Sequence, residues 1–159
     1  MGCGWSLDRS WIGWGIGCGW ALEKLRMACG RVAKASPRLR MNYNFHQSHE
    51  DLSHRMLNAI EPGTDIPIHR HSDKDESFAI LRGKVRSTTY NNDGSVIESV
   101  VLCQEEVVYG VDIPKGVWHK LESLESGGVE FECKEGPFVS ALMILLLKPP
   151  LLLVVGLGL

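Results

Sequence analysis

The sequence predicts an all-β domain, a single double-stranded β-helix (jelly-roll) barrel with one short N-terminal helix. Two observations carry this. From Met41 onward the chain is a succession of short strand-like runs separated by turn residues, a pattern of sandwiches and closed barrels. Within it, three histidines and a glutamate fall at Gly63-x5-His69-Arg70-His71-x4-Glu76-x6-Gly83 and Pro114-x-Gly116-x2-His119. That spacing suits a first-row metal held inside such a barrel.

The helix is expected over 20–35. Leu22, Leu25, Cys29 and Val32 recur at three- and four-residue steps, and Ser36-Pro37 stops the run. Met41, Tyr43 and Phe45 then alternate with Asn42, Asn44 and His46, which puts two asparagines and a histidine on one strand face. Further strands are expected over 55–60, 66–71, 77–81, 84–90, 96–102, 107–113, 119–123 and 129–134. Their separators are Glu61-Pro62-Gly63, Asn91-Asn92-Asp93-Gly94, Pro114-Lys115-Gly116 and Ser126-Gly127-Gly128. Asn-Asn-Asp-Gly between two β runs signals a hairpin.

A chain of 159 residues fits one domain with short additions. A hydrophobic content of 44% with 23% charged residues is that of a soluble globular protein. A net charge of −2 creates no field favouring nucleic acid or an anionic membrane. Five cysteines, Cys3, Cys18, Cys29, Cys103 and Cys133, form no CxxC pair, so the expectation is a reducing cytoplasm with Cys103 and Cys133 as buried, inert thiols.

The ends differ from the middle. Residues 1–30 form an atypical extension opened by a Gly/Trp-rich string, with Trp5, Trp11, Trp14 and Trp20 among the first twenty positions. Gly15-x-Gly17 is followed by Trp20 where a third glycine belongs, so no dinucleotide loop is read there. Met1-Gly2-Cys3 fits a lipidation pattern too short to carry weight. Residues 31–140 are the expected domain, and 141–159 an apolar tail. Lys148-Pro149-Pro150 divides that tail into pieces far shorter than the ~20 residues of a membrane-spanning helix, so no membrane association is expected.

The chemistry sits in the histidines. His69 and His71 are two apart on a strand, so both imidazoles share a face. Glu76 begins the next strand, whose face continues with Phe78 and Ile80 as an apolar wall. His119 follows the turn at Pro114 and Gly116 and faces the pair across the barrel. This donor set suits Fe(II), Mn(II), Ni(II), Zn(II) or Cu(II), without choosing among them, and leaves coordination positions for water or substrate. A structural zinc site more often uses several cysteines.

His49 and His54 resemble HExxH with one residue too many and are expected to be exposed. Asn44, His46 and Arg82 are candidate substrate-binding residues, with Lys134 as a further cation for a carboxylate or phosphate. Trp118, beside His119, is expected in the core or as a lid. No Ser-His-Asp or Cys-His nucleophile is defined by the spacing.

Gly63 to Gly83 resembles the first motif of the cupin superfamily, and Pro114-x-Gly116-x2-His119 the core of the second. The second motif departs in two places: Val108 stands where its leading glycine is expected, with Gly110 two residues later, and Ser123 replaces its asparagine. The stretches Ala33 to His46, Arg55 to Gly63 and Phe131 to Pro137 look like the WbuC family of cupin metalloproteins. The resemblance implies a bacterial protein of surface-polysaccharide (O-antigen, lipopolysaccharide) gene clusters. It also implies a divalent transition metal (Fe, Mn, Ni or Zn) on His69, His71, Glu76 and His119, and a homodimer. The ligand expected is a small molecule, a sugar or nucleotide-sugar.

Three functions stay open. The first is a metal-dependent enzyme on a small polar metabolite, with His46 or Glu76 for proton transfer and Glu76 read as either ligand or base. The second is an Fe(II) dioxygenase. The third is a non-catalytic metal- and ligand-binding module.

Overall fold

The computed structural model describes residues 21–138, 142–146 and 152–156. The Trp-rich string at 1–20 and the Pro149-Pro150 junction of the tail lie outside the described residues.

Helix α1 (Ala21–Ala35) is followed by eleven strands among the described residues. They are β1 (Arg40–Asn44), β2 (Ser53–Ile60), β3 (Ile68–Arg70), β4 (Glu76–Arg82), β5 (Lys84–Tyr90), β6 (Val96–Cys103), β7 (Gly110–Ile113), β8 (Trp118–Ser123), β9 (Gly128–Glu135), β10 (Leu142–Leu146) and β11 (Leu152–Gly156). They build two antiparallel sheets, ordered β1-β2-β9-β4-β7 and β11-β10-β3-β8-β5-β6. The expected all-β barrel with one short helix is what the chain forms. Its tail strands β10 and β11 pair with each other, and β10 extends the second sheet by pairing with β3.

Two apolar clusters hold the layers together. Alternation along β1, β2 and β9 sends Met41, Leu57, Ala59 and Val129 to one face, where they pack on Cys29 and Ala33 of α1. The second cluster takes Ile60, Phe78, Ile80 and Ile113 from one sheet and Val85, Leu102 and Leu121 from the other, so it fills the barrel interior. Phe78 and Ile80 are the apolar wall expected beside Glu76. Cys29 and Cys103 are buried thiols, whereas Cys133 is only part-buried, because it faces the helix side near the end of β9.

The turns that shape the site follow their local chemistry. The Asn91–Gly94 turn closes the β5–β6 hairpin, with Asn91 N–H donating to Ser95 O at 2.8 Å and Gly94 N–H to Asn91 O at 3.0 Å. Strand β7 starts only at Gly110, later than the expected 107, because Val107 and Tyr109 stand out in solvent at 94% and 58% exposure. Gly110 itself lies against β4: a Cβ there would meet Phe78 O at 2.6 Å, which real side chains do not tolerate. Backbone contact at β4–β7 therefore accounts for a glycine at 110.

Candidate metal centre and its carboxylate wall

Two loops place the histidine ligand candidates. Gly116 takes a left-handed turn, φ +82°, a conformation that glycine adopts without cost. Its N–H donates to His71 O at 2.6 Å. Next to it Lys115 N–H donates to Asp75 Oδ1 at 2.8 Å. The loop before β8 is thereby stitched to the loop between β3 and β4. His69 and His119 are direct partners across β3–β8, with ring centroids 4.3 Å apart.

The donor atoms of His69, His71, Glu76 and His119 all lie within 4.8 Å of one another. His71, Glu76 and His119 are buried. The Nδ1 of His69 lies 3.0 Å from Pro67 O, and that of His119 lies 3.0 Å from Val117 O. A carbonyl only accepts, so each Nδ1 carries the proton and each Nε2 keeps its lone pair, the tautomer a metal ligand needs. His71 is buried with neither ring nitrogen hydrogen-bonded, and a buried polar group is normally satisfied. A cation between these donors would take one of its two ring nitrogens, and the donor set fits a first-row divalent metal.

Electrostatics keep the cluster in its ligating form. Burial pushes the His69 imidazole down to about 4, helped by His119 and opposed by Glu76. Burial acts to raise the Glu76 carboxyl, but His119, His71 and Lys134 outweigh it and hold the group well below the ordinary carboxylate range. Its Oε2 lies 3.1 Å from His119 Nε2 and 3.5 Å from His71 Nε2. Its Oε1 accepts from Lys134 Nζ at 2.7 Å.

Lys134 opens a feature that sequence reading missed. Glu130, Glu132 and Lys134 alternate along β9 and face the barrel interior, beside Asn58 on β2 and Glu76 on β4. Lys134 Nζ lies 2.6 Å from Glu132 Oε1 as well as 2.7 Å from Glu76. Asn58 Nδ2 donates to Glu130 Oε1 at 3.2 Å and to Glu132 Oε2, and Asn58 Oδ1 accepts from Asn42 Nδ2. Burial, then the charge of Glu132, raises the Glu130 carboxyl to about 8. The sequence alone carried no signal for it: only with β9 central in its sheet and covered on both faces does Glu-x-Glu-x-Lys put charge where apolar residues belong.

This wall carries a pH prediction. Between about pH 4.5 and 8 the folded chain keeps the Glu130 proton that the unfolded chain loses, so this group's contribution to stability falls as pH rises through that window and is level above it. Glu130→Leu removes the effect. Urea unfolding of the metal-free chain at pH 5 and pH 8 checks it: the stability of Glu130→Leu relative to wild type grows toward pH 8. An unchanged difference refutes the assignment.

The remaining sequence candidates are spread out. His46 is buried on the interior side and stacks on His54, with centroids 4.1 Å apart and planes at 9°. Its Nδ1 lies 3.2 Å from Arg55 O and 3.3 Å from Arg55 N. Asn44 is exposed on β1, on the face shared with Asn42 and Met56. Arg82 is exposed at the far end of β4, its Nη1 3.8 Å from Met27 Sδ. Six residues from Glu76, ~20 Å of strand, it is not brought to the histidines. His49 is exposed as expected, but His54 is 2% exposed. It is the second residue of β2, directly opposite Lys134, and so turns inward. Trp118 is buried, under Arg70 with the guanidinium carbon 4.4 Å from its ring centroid.

Residues 23–102 match the family model described as a domain of unknown function, DUF6016. The chain belongs to this family. Among curated proteins none matches the sequence. Among solved structures the chain is similar to KdgF from Halomonas sp., at 13% identity and a TM-score of 0.50 over 63% of this chain and 82% of that one. It is also similar to the capsular polysaccharide assembling protein CapF from Staphylococcus aureus, at 21% identity and a TM-score of 0.50 over 63% of this chain. The match spans only 28% of CapF. Both are cupin-fold proteins, and the DUF6016 chain shares that fold. Among the described residues no helix is long and apolar enough to cross a membrane.

Proposed function

We propose that this cupin is a metal-dependent enzyme acting on a small polar metabolite, a sugar or nucleotide-sugar intermediate of surface-polysaccharide (O-antigen) biosynthesis. The observation that carries the metal is the convergence of one donor atom each from His69, His71, Glu76 and His119, with the buried His71 ring making no hydrogen bond. The WbuC-like stretches carry the context, and with it the expectations of a cytoplasmic, homodimeric protein.

In this reading His69, His71, His119 and Glu76 hold a first-row divalent cation. When bound, it supplies Lewis-acid polarisation of a carbonyl or hydroxyl. Glu76 has one oxygen toward His71 and His119 and the other held by Lys134. We therefore assign it to the metal rather than to proton transfer. Its Lys134 partner orients the carboxylate, as outer partners of metal ligands commonly do. The stacked His46 and His54 rings lie on the interior side of the same sheet, His54 in the cross-strand row of Lys134 and Glu76.

Metal analysis of the purified chain tests the first half of the proposal, with about one first-row ion per chain expected. Turnover of nucleotide-sugars by the metal-loaded chain, with and without oxygen, tests the second. Tight metal retention without turnover on any of them would replace the enzyme by a binding module, and oxygen-dependent turnover would make it a dioxygenase.

A further inference from the structure

The carboxylate wall extends well past the metal cluster. Asn42, Asn58, Glu130 and Ile80 form a cross-strand row through β1, β2, β9 and β4. The row begins at an exposed residue of an edge strand and ends in the barrel core. Along β9 the same face leads from Glu130 through Glu132 to Lys134, which contacts Glu76. The Cα atoms of residues 130 and 134 are separated by ~13 Å of strand.

Most polar atoms in this row have partners. Asn58 bridges the two glutamates and accepts from Asn42. Two buried carboxylate oxygens here lack a hydrogen bond: Glu132 Oε1, which the Lys134 ammonium meets at 2.6 Å, and Glu130 Oε2, in a residue only 2% exposed. Leaving such a group unpaired is unfavourable, so a missing partner has to be named. An anion does not fit. Lys134 is already held by Glu76 and Glu132, and Asn58 is spent on the glutamates. A hydroxyl group fits, since it can both donate to and accept from a carboxyl.

We propose that Glu130, Asn58 and Asn42 form a second subsite of the metal pocket, which receives an uncharged, hydroxyl-bearing part of an elongated ligand such as a disaccharide. This rests on the sugar reading above and narrows it. A charged end of the ligand goes to the metal, and a neutral polyhydroxyl end goes to Glu130.

Side-chain amide signals of Asn58 and Asn42, followed by NMR in the zinc-loaded full chain, read the subsite directly. Maltose is expected to shift both signals saturably, and inorganic phosphate is expected to leave them in place. Glu130→Leu, which fills the site with an apolar side chain of similar size, is expected to weaken maltose binding at least tenfold. Glu130→Gln, which keeps polar atoms there, should stay within about threefold, since a tenfold loss corresponds to 1.4 kcal/mol. Zinc uptake is expected to be equal in all three proteins. The subsite is refuted if maltose moves neither amide, if phosphate moves them, or if Glu130→Leu binds maltose like wild type. Failure of the metal reading looks different: the wild type takes up no zinc, and the maltose titration of the zinc-free chain then decides the subsite alone.

Discussion

His119→Ala is expected to strip the chain of its metal, lowering affinity by more than 100-fold in a chelator competition assay. His119 sits at the centre of the cluster. It is 1% exposed, its Nδ1–H is tied to Val117 O, and its Nε2 lies 3.1 Å from Glu76. Loss of a partner that only orients a ligand costs about 10–100-fold in affinity, and loss of a donor atom exceeds that. The fold should survive, because strand pairing of β8 with β3 and β5 uses the backbone. Circular dichroism should therefore match wild type while metal content falls toward zero. His71→Ala is the companion measurement, since that ring meets Glu76 Oε2 only at 3.5 Å from its Nε2 and makes no closer hydrogen bond. Metal content unchanged in both variants would overturn the ligand set.

Lys134→Met is expected to destabilise the metal-free chain by about 3–5 kcal/mol, the loss typical of removing one partner from a buried ion pair. Its ammonium stands between Glu76 and Glu132, 2.7 and 2.6 Å away, and both carboxyls are buried. Burial alone would lower the Lys134 pKa, but the two glutamates raise it well above the ordinary lysine value. Methionine fills the volume and leaves two like charges facing each other. Metal should restore part of the loss, because a cation near Glu76 replaces some of the missing charge and ligand binding stabilises the folded state. Urea unfolding with and without zinc measures both effects. A variant within about 1 kcal/mol of wild type would mean that the glutamates are not held by this lysine.

The histidines were legible because their chemistry is local. His69-x-His71 on a strand and Glu76 opening the next one share a face by the two-residue period, and Pro114 with Gly116 marks the turn before His119. The strand order along the chain was legible for the same reason: alternation and turn residues act over a few positions. The carboxylate wall was not. Glu130 and Glu132 attract no reading, and Lys134 reads as a cation for a substrate carboxylate or phosphate, until β9 is known to be central, with α1 packed on one face and the barrel interior on the other. His54 was misread as exposed on similar grounds, since only pairing with Lys134 shows which way β2 begins.

Sequence by itself therefore determined an all-β barrel with one helix and a candidate metal centre of His69, His71, Glu76 and His119. Periodicity and donor spacing are properties of neighbouring residues. Only the tertiary structure decided that Glu76 is shared between the histidines and Lys134, that Glu130 keeps an unpaired oxygen in the interior, and that Arg82 lies far from both. Those facts depend on cross-strand register, which joins residues dozens of positions apart and sets which charges lose their water together.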